Sequence, residues 1–180
     1  MAKIAVEQLE RALANISSQP SPGTVARVAV REIARLTGAS RAVLAFFDAG
    51  GGLESVTRYA VGESGDETPV LTPEEEFLRQ AYEQGQPVIH HATLAEPFNS
   101  VATPCYRGDR AAGALAVISP SVDLTSGQDT IAATSVLGSV AALVLENQRL
   151  SSYIQQSVSA PQDLSEQWLG LVEASQSDLI

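Results

Sequence analysis

The sequence predicts an α+β fold in which helices flank a largely antiparallel sheet. Its patterns read helix, helix, strand, strand, helix, strand, strand, strand, helix along 180 residues. Two strands before the middle helix and three after it do not give the regular strand–helix alternation of a parallel sheet. The second observation is a hairpin, because apolar runs near 100–107 and 110–118 flank Gly108-Asp109, a two-residue turn with glycine first. We expect about five to six strands.

Two helices are expected at the start of the chain. In residues 2–17, apolar side chains recur every three or four positions, as a helix with one buried face requires. The second helix has Ser21 as its N-cap, Pro22 in its first turn and Gly38 after its last turn. Because a break separates the two helices, residues 1–19 are expected to form an N-terminal helix ahead of the main domain.

The first hairpin and the middle helix follow. Residues 43–47 are an unbroken apolar run, which is typical of a strand buried on both faces. Glycines at 50–52 turn the chain, and residues 53–61 are expected to pair with that strand. Residues 72–75 form a capping box with proline at the first helical position, and the helix is expected to run to about Gln84.

The second half of the chain predicts three strands and a long helix. Residues 87–90 form a short strand, and the hairpin strands near 100–107 and 110–118 follow it. A second capping box at 125–128 then begins a long helix.

Composition limits the classes of partner. The formal net charge is -10 and the pI is about 4.5, which argues against nucleic acid or an anionic membrane as a main partner. One cysteine excludes an internal disulfide, and no apolar run approaches the roughly 20 residues of a membrane span. The first residues lack the apolar core of a signal peptide, so a cytoplasmic protein is expected.

Three segments carry a resemblance to a known family. Residues 39–43, 100–118 and 145–150 resemble the corresponding parts of GAF domains, and the likeness extends over about residues 20–150. It implies a GAF-like, PAS-related sheet with long N- and C-terminal helices and a main domain over 20–158. It also implies a regulatory role in signalling.

GAF domains often hold a small molecule between the sheet and an overlying helix or loop. In this chain only nine residues, 92–100, join the strand at His90 to the hairpin, which is too few to build a roof over a nucleotide or tetrapyrrole. We therefore expect a small or collapsed pocket filled by its own aromatic side chains. The candidate lining residues are Phe47, Tyr59, Tyr82, His90, Phe98 and Cys105.

The chain departs from the ligand-binding and catalytic members of that family. Ser119-Pro120 replaces the Asn-Lys pair of cyclic-nucleotide sites, and no second cysteine is present to resolve an oxidised Cys105. Cys105 is expected to be a small buried hydrophobe. His90 and His91 point to opposite faces of a strand, one buried and one exposed, so they cannot share a metal.

The remaining acidic cluster does not predict catalysis either. The three glutamates at 74–76 open a helix, where they favour the positive end of its dipole, so we expect capping there. The sequence therefore predicts no catalytic residue, no metal site and no cofactor, and the protein is not expected to be an enzyme.

Two helices carry an apolar seam at coiled-coil spacing. A lone asparagine at a core position of such a seam fixes register and oligomeric state. In GAF proteins the first and last helices commonly bundle into a parallel homodimer, which makes a homodimer the expectation here. In the alternative, both seams pack only on their own sheet. The seam residues are Leu9, Leu13, Val140, Leu143, Asn147, Leu150 and Ile154.

Two further features suit a partner protein. After a Ser/Gln-rich stretch at 151–160, expected to be a frayed helix end or linker, residues 159–180 form an acidic tail with a short amphipathic helix. That helix suits docking into a groove, or it folds back on its own domain. Its apolar face consists of Leu164, Trp168, Leu171 and Val172. Arg27, Arg31 and Arg35 form a stripe that is either a solvated face or a dock for an anion or acidic peptide.

The sequence therefore predicts a non-catalytic regulatory module that forms a homodimer and passes a signal or docks a partner protein. The alternative is a sensor of a small molecule or ion, held in a reduced pocket.

Overall fold

A computed structural model describes the backbone of residues 4–62, 72–94, 98–120 and 127–177, and the side chains of these residues except 72, 73 and 156–177. Its helices and strands follow the predicted order. They are α1 (Val6–Ser17), α2 (Pro22–Thr37), β1 (Arg41–Phe47), β2 (Leu53–Ala60), α3 (Thr72–Gln84), β3 (Val88–His90), β4 (Asn99–Arg107), β5 (Arg110–Ser119) and α4 (Gln128–Ser177).

The described strands form one sheet of five in the order β2-β1-β5-β4-β3, and every pairing is antiparallel. The hairpin turn between β4 and β5 lies where the sequence places it, because Arg107 pairs with Arg110 across Gly108 and Asp109. Gly108 has a positive φ of 62° and Asp109 does not, which is the pattern of a type II′ turn. The predicted α+β class and antiparallel sheet are confirmed.

Alternation along the strands gives the sheet two faces and two cores. One face carries Ala42, Leu44, Val101, Leu115 and Val117, which are buried with side chains of α1, α2 and α4. The other face carries side chains that are buried with those of α3, namely Val43, Ala45, Ala102, Ala114, Ala116 and Ile118. We call these the helical-bundle face and the α3 face.

Local signals set the ends of α2. Ser21 accepts a hydrogen bond from the backbone N–H of Thr24, and the Thr24 hydroxyl in turn accepts from the Ser21 N–H, so the capping box is complete. Gly38 ends the helix in the left-handed conformation, as the sequence predicts. Helix α1 begins at Val6 rather than at residue 2, and its Ala12 and Ile16 are buried in the same core as α2.

Helix α4 is longer than predicted. It runs through residues 151–160, where we expected a frayed end or linker. Serine and glutamine are only slightly less favourable in a helix than alanine, and the Ser151 and Ser152 hydroxyls donate to the carbonyl oxygens of Asn147 and Gln148, at 2.8 and 2.9 Å. The capping box at 125–128 lies mostly outside the described residues.

The chain divides into two compact units, Met1–Leu145 and Glu146–Ile180. The first contains the sheet, α1, α2, α3 and the start of α4, and the second contains the rest of α4. The domain boundaries at 19/20 and 158/159 remain predictions from the sequence.

One stretch of α4 differs from the expectation that no apolar segment approaches the length of a membrane span. Residues Gln128–Gln155 are long and apolar enough to cross a membrane by length and composition alone. Ala133, Leu137, Ala141 and Ala142 of this stretch are buried in the helical-bundle core. Packing on the sheet therefore accounts for part of its apolar character.

Candidate functional site

The space between α3 and the sheet is occupied by the protein's own side chains. Phe77, Leu78 and Ala81 of α3 are buried against the strands. Phe47 at the end of β1 stacks on Tyr82, with ring centroids 4.6 Å apart. Of the side chains that we expected to fill the pocket, Phe47 and Tyr82 pack here together with Phe77.

Arg79 contacts the edge of this aromatic cluster. Its guanidinium lies 5.2 Å from the centroid of the Phe47 ring and donates to Glu75 at 2.9 Å and to the carbonyl oxygen of Gly51. The turn between β1 and β2 is thereby tied to α3. Asp48 shapes the same turn by accepting from the backbone N–H groups of Gly50 and Gly52, each at 2.8 Å.

Glu74 forms a buried ion cluster at the start of α3. Its carboxylate accepts from Arg41 at 3.1 Å and from Arg58, and the side chains of Glu74 and Arg58 are only 9% and 8% exposed. Arg41 also lies over the Phe98 ring, 5.1 Å from its centroid. Because two guanidinium groups compensate the carboxylate, the cluster suits a structural role rather than acid catalysis, and Glu74 still lies in the first turn as capping requires.

Sequence reasoning missed Arg41 and Arg58 as partners of Glu74. Arg58 pairs with Val43 in the sheet register, and Val43 faces α3. The sequence did contain one signal for this cluster, because alternation places Arg41 and Arg58 on the same sheet face as a buried strand residue. The distant acid that meets them could not be identified from spacing alone.

The six predicted pocket residues do not lie together. Phe47, Tyr82 and His90 lie on the α3 face, and the His90 ring is 4.5 Å from that of Phe77. Tyr59 and Cys105 pack in the helical-bundle core instead, because strand alternation sends them through the sheet to the other side. Phe98 is exposed and meets Arg41.

The histidine prediction needs one correction. His90 and His91 are both exposed, whereas the sequence predicted one buried and one exposed. Strand β3 ends at His90, and only its Val88 is buried, so it is too short and too near the edge to bury a histidine. In the described residues, no group of three or more His, Cys, Asp or Glu side chains could hold a metal ion.

The described part of the connection before the hairpin is held by a hydrogen bond. Its described residues, 91–94 and 98, form no helix. The backbone N–H of Ala92 donates to the buried side chain of Asn99 at 2.9 Å.

Cys105 is buried where α4 crosses the sheet. Burial raises the pKa of its thiol far above the ordinary value, so it remains protonated and unreactive. A Cβ on Gly138 of α4 would lie 2.5 Å from the Cys105 sulfur and 3.2 Å from Leu115 Cβ. The expected small buried hydrophobe therefore sits opposite a glycine that allows close helix–sheet contact.

The predicted seam divides into covered and uncovered positions. Leu9, Leu13 and Val140 are partly buried against the protein's own core, as the alternative reading expected. The remaining positions are exposed. Leu143 is 47%, Leu150 50% and Ile154 60% exposed, and Asn147 is also exposed.

The two predicted docking features differ in what the structure describes. Leu164, Trp168, Leu171 and Val172 lie within α4, and their side chains are outside the described part. The arginine stripe is described in full. Arg35 donates to Glu32 at 2.8 and 3.0 Å, whereas Arg27 and Arg31 line a cavity of about 440 Å³ beside β2.

Comparisons with known proteins identify the fold. No family model matches the chain, and no curated protein matches its sequence. The GAF domain of an Acinetobacter phosphoenolpyruvate-protein phosphotransferase superposes with a TM-score of 0.62 at 11% identity, over 84% of this chain and 99% of that one.

Two further solved structures are similar. The GAF domain of the potassium sensor histidine kinase of Escherichia coli gives a TM-score of 0.55 at 16% identity, over 83% of this chain and 99% of that one. The Stigmatella aurantiaca phytochrome photosensory core module gives 0.60 at 15% identity, over 87% of this chain and 39% of that one. At such low identity the likeness establishes architecture alone: this chain has a GAF-like fold.

Proposed function

We propose that this chain is a non-catalytic regulatory module that forms a homodimer through α4 and passes a signal to a partner protein or docks it. The observation that carries the proposal is the exposed apolar stripe of α4. Leu143, Asn147, Leu150 and Ile154 follow one another at steps of four, three and four residues, which is the seam of a coiled coil.

The pattern of exposure favours pairing between copies over packing within one copy. In the first unit Val136 and Leu143 are exposed, and in the second Leu150, Tyr153 and Ile154 are exposed. Large apolar side chains at this density on one element are typical of an interaction surface. An exposed asparagine in the same seam suits register control, since a polar residue at a core position disfavours other alignments.

The protein's own side chains fill the α3 face. This supports a function that needs no ligand at the position where GAF domains often hold one. Phe47, Phe77 and Tyr82 occupy the space in which the reduced pocket of the alternative reading would lie. Among the described residues of that face, the buried carboxylate is that of Glu74, which is held by two arginines. A signal is then expected to pass through helix contacts rather than through bound substrate.

The kinds of protein that contain this fold also support a regulatory role. The similar structures include domains of a sensor histidine kinase and a phytochrome photosensory module. A cytoplasmic location fits a chain whose single cysteine is a buried thiol. The acidic tail, with the apolar face at Leu164, Trp168, Leu171 and Val172, is the proposed dock for a partner protein.

The dimer is tested by placing a charge in the seam. We expect Ile154→Glu to be monomeric, because a glutamate at the centre of an apolar helix pair must be desolvated. Ser152→Glu is the matched control. It adds the same charge two residues away, which is about 160° around the helix at 3.6 residues per turn.

The measurement is molar mass by light scattering coupled to size-exclusion chromatography, across a hundredfold range of concentration. The unmodified chain and Ser152→Glu are expected at the mass of a dimer, and Ile154→Glu at the mass of a monomer with unchanged helical circular dichroism. A monomeric unmodified chain at every concentration would contradict the proposal, and so would a dimer of Ile154→Glu as tight as that of the control.

A further inference from the structure

We infer that the partner of the apolar face in the acidic tail is the same helix of a second copy of this chain. The inference rests on the proposed dimer and extends its interface along α4. Leu150 and Ile154 belong to the exposed stripe of that dimer, and Leu164, Trp168 and Leu171 belong to the proposed dock. The spacing of the two groups places them in one seam.

The two groups lie at the same phase of a heptad repeat. Helix α4 is continuous to Ser177, so spacing along it determines which positions share a side. Ile154 and Leu164 are ten residues apart, which is three, four and three, the steps between core positions of a coiled coil. Even on a straight helix of 3.6 residues per turn, the five positions 150, 154, 164, 168 and 171 fall within an arc of about 100°.

The extension gives the seam the length that is typical of a coiled coil. From Leu143 to Ile154 it covers fewer than two heptads, whereas apolar core positions in coiled coils are sustained over about three to four heptads or more. From Leu143 to Leu171 it covers about four heptads. Ser157 and Pro161 occupy two core positions between the groups, and they interrupt the apolar pattern without shifting its phase.

The charges of the tail distinguish a second copy from a basic partner. Beyond Arg149 the chain contains no lysine or arginine, and the acids within this part of α4 are Asp163, Glu166 and Glu173. In the register of the seam they occupy positions c and f, on the outer side of a coiled coil. A groove with a basic rim would instead be matched by acids directly beside the apolar face, at positions e and g.

The positions that flank the seam are uncharged. Between residues 150 and 177, positions e and g are occupied by Ser151, Tyr153, Val158, Ala160, Ser165, Gln167, Val172 and Ala174. Like charges that face each other across an interface are repulsive, and this arrangement keeps the acids of two copies apart. Because the Debye length is about 8 Å at physiological ionic strength, charges on the outer sides of two paired helices are largely screened. An acidic tail can therefore pair with its own copy along this seam.

Trp168 reports on the pairing, because it is the one tryptophan of the chain. We expect its fluorescence in the unmodified chain to be protected from acrylamide quenching at concentrations where light scattering gives the mass of a dimer. The protection should be lost on dilution as the mass falls to that of a monomer. In Ile154→Glu, Trp168 should be open to quenching at every concentration.

Leu164→Glu tests the tail part of the seam directly. Gln162→Glu is the matched control, since it adds the same charge two residues away, about 160° around the helix. We expect the dissociation constant of the dimer to rise about tenfold or more for Leu164→Glu, because the added glutamate must be desolvated, and to stay within about twofold for the control.

The outcomes separate this inference from the proposed function. A dimer in which Trp168 is quenched as readily as in Ile154→Glu, with Leu164→Glu pairing as tightly as Gln162→Glu, would overturn the inference and leave the proposed dimer in place. Protection of Trp168 in monomeric Ile154→Glu would overturn it too, by showing that the tail packs within one copy. A chain that is monomeric at every concentration would overturn the proposed dimer and this extension together.

Discussion

The buried carboxylate of Glu74 depends on the two guanidinium groups that contact it. A charge removed from water costs several kcal/mol unless it is paired and hydrogen-bonded, and Arg41 and Arg58 supply both. Glu75 and Glu76 follow in the sequence but differ in burial, since Glu76 is exposed. Three consecutive identical residues thus have different energetic roles.

Glu74→Gln is expected to lower the free energy of unfolding by about 2 kcal/mol or more, because both arginines then lose a charged partner near or inside the core. Glu76→Gln removes the same charge from the solvent-exposed face and is expected to change stability by less than about 0.5 kcal/mol. Urea denaturation followed by circular dichroism measures both. Equal effects of the two substitutions would show that the buried cluster contributes no more to stability than an exposed carboxylate does.

The burial of Cys105 makes the stability of the protein depend on pH. Its thiol pKa is raised by desolvation, so the folded state keeps the proton when the unfolded chain loses it. Above the unfolded value of about 9 the unfolded state binds fewer protons than the folded state, and stability therefore falls as pH rises.

We expect the stability difference between the unmodified chain and Cys105→Ala to be constant up to about pH 8. Between pH 8 and 10 the unmodified chain should lose about 1.4 kcal/mol relative to the variant, which lacks the titrating thiol. Urea titrations of both chains at each pH give this difference, in which the shared effects of tyrosine and lysine cancel. A difference that does not change with pH would mean that Cys105 is accessible to water.

At the scale of elements, the contact of α4 with the sheet is set by small residues. Ala133, Ala141 and Ala142 are buried on the helix, and Gly138 lies between them opposite Cys105. Their small volume lets the helix axis approach the strands closely. The same helix therefore supplies both part of the core and, at other positions, the exposed stripe.

Gly138→Ala is expected to destabilise the protein by about 1–3 kcal/mol, because its methyl group would overlap the Cys105 sulfur and press on Leu115. This loss should exceed the helix-propensity gain of about 1 kcal/mol. Gly23→Ala is the control, since its Cβ would meet no atom within 4 Å in α2, and we expect it to be neutral or stabilising.

A double-mutant cycle identifies the cause of the Gly138→Ala effect. In a Cys105→Ala background the sulfur is gone, and the same substitution should cost clearly less in thermal or urea denaturation. An identical loss of stability in both backgrounds would show that contact with the Cys105 sulfur is not the cause of the strain.

For the molecule as a whole, local signals were enough to predict the order of elements. The Ser21 cap, the Gly108 turn and the apolar run at 43–47 act within a few residues, and each appears in the structure at its predicted place. The α+β class follows from that order, since two strands precede the middle helix and three follow it.

The site could be predicted only in part, because it depends on contacts between distant segments. Alternation shows which residues of one strand share a face, but it does not show which helix covers that face. For this reason Tyr59 and Cys105 were grouped with Phe47 although they lie on the other side of the sheet. The pairing of Glu74 with Arg41 spans 33 positions and has no local signature.

The two outermost strands have a consequence for aggregation. Strand β3 is only three residues long, and β2 presents Glu54 and Arg58 along its length, so neither margin of the sheet offers a long, flat, uncharged template for another strand. Amyloid-like growth by strand addition is thereby discouraged. Copies of the chain can then be brought together at high concentration with less risk that they associate by backbone hydrogen bonds between strands rather than through side-chain contacts.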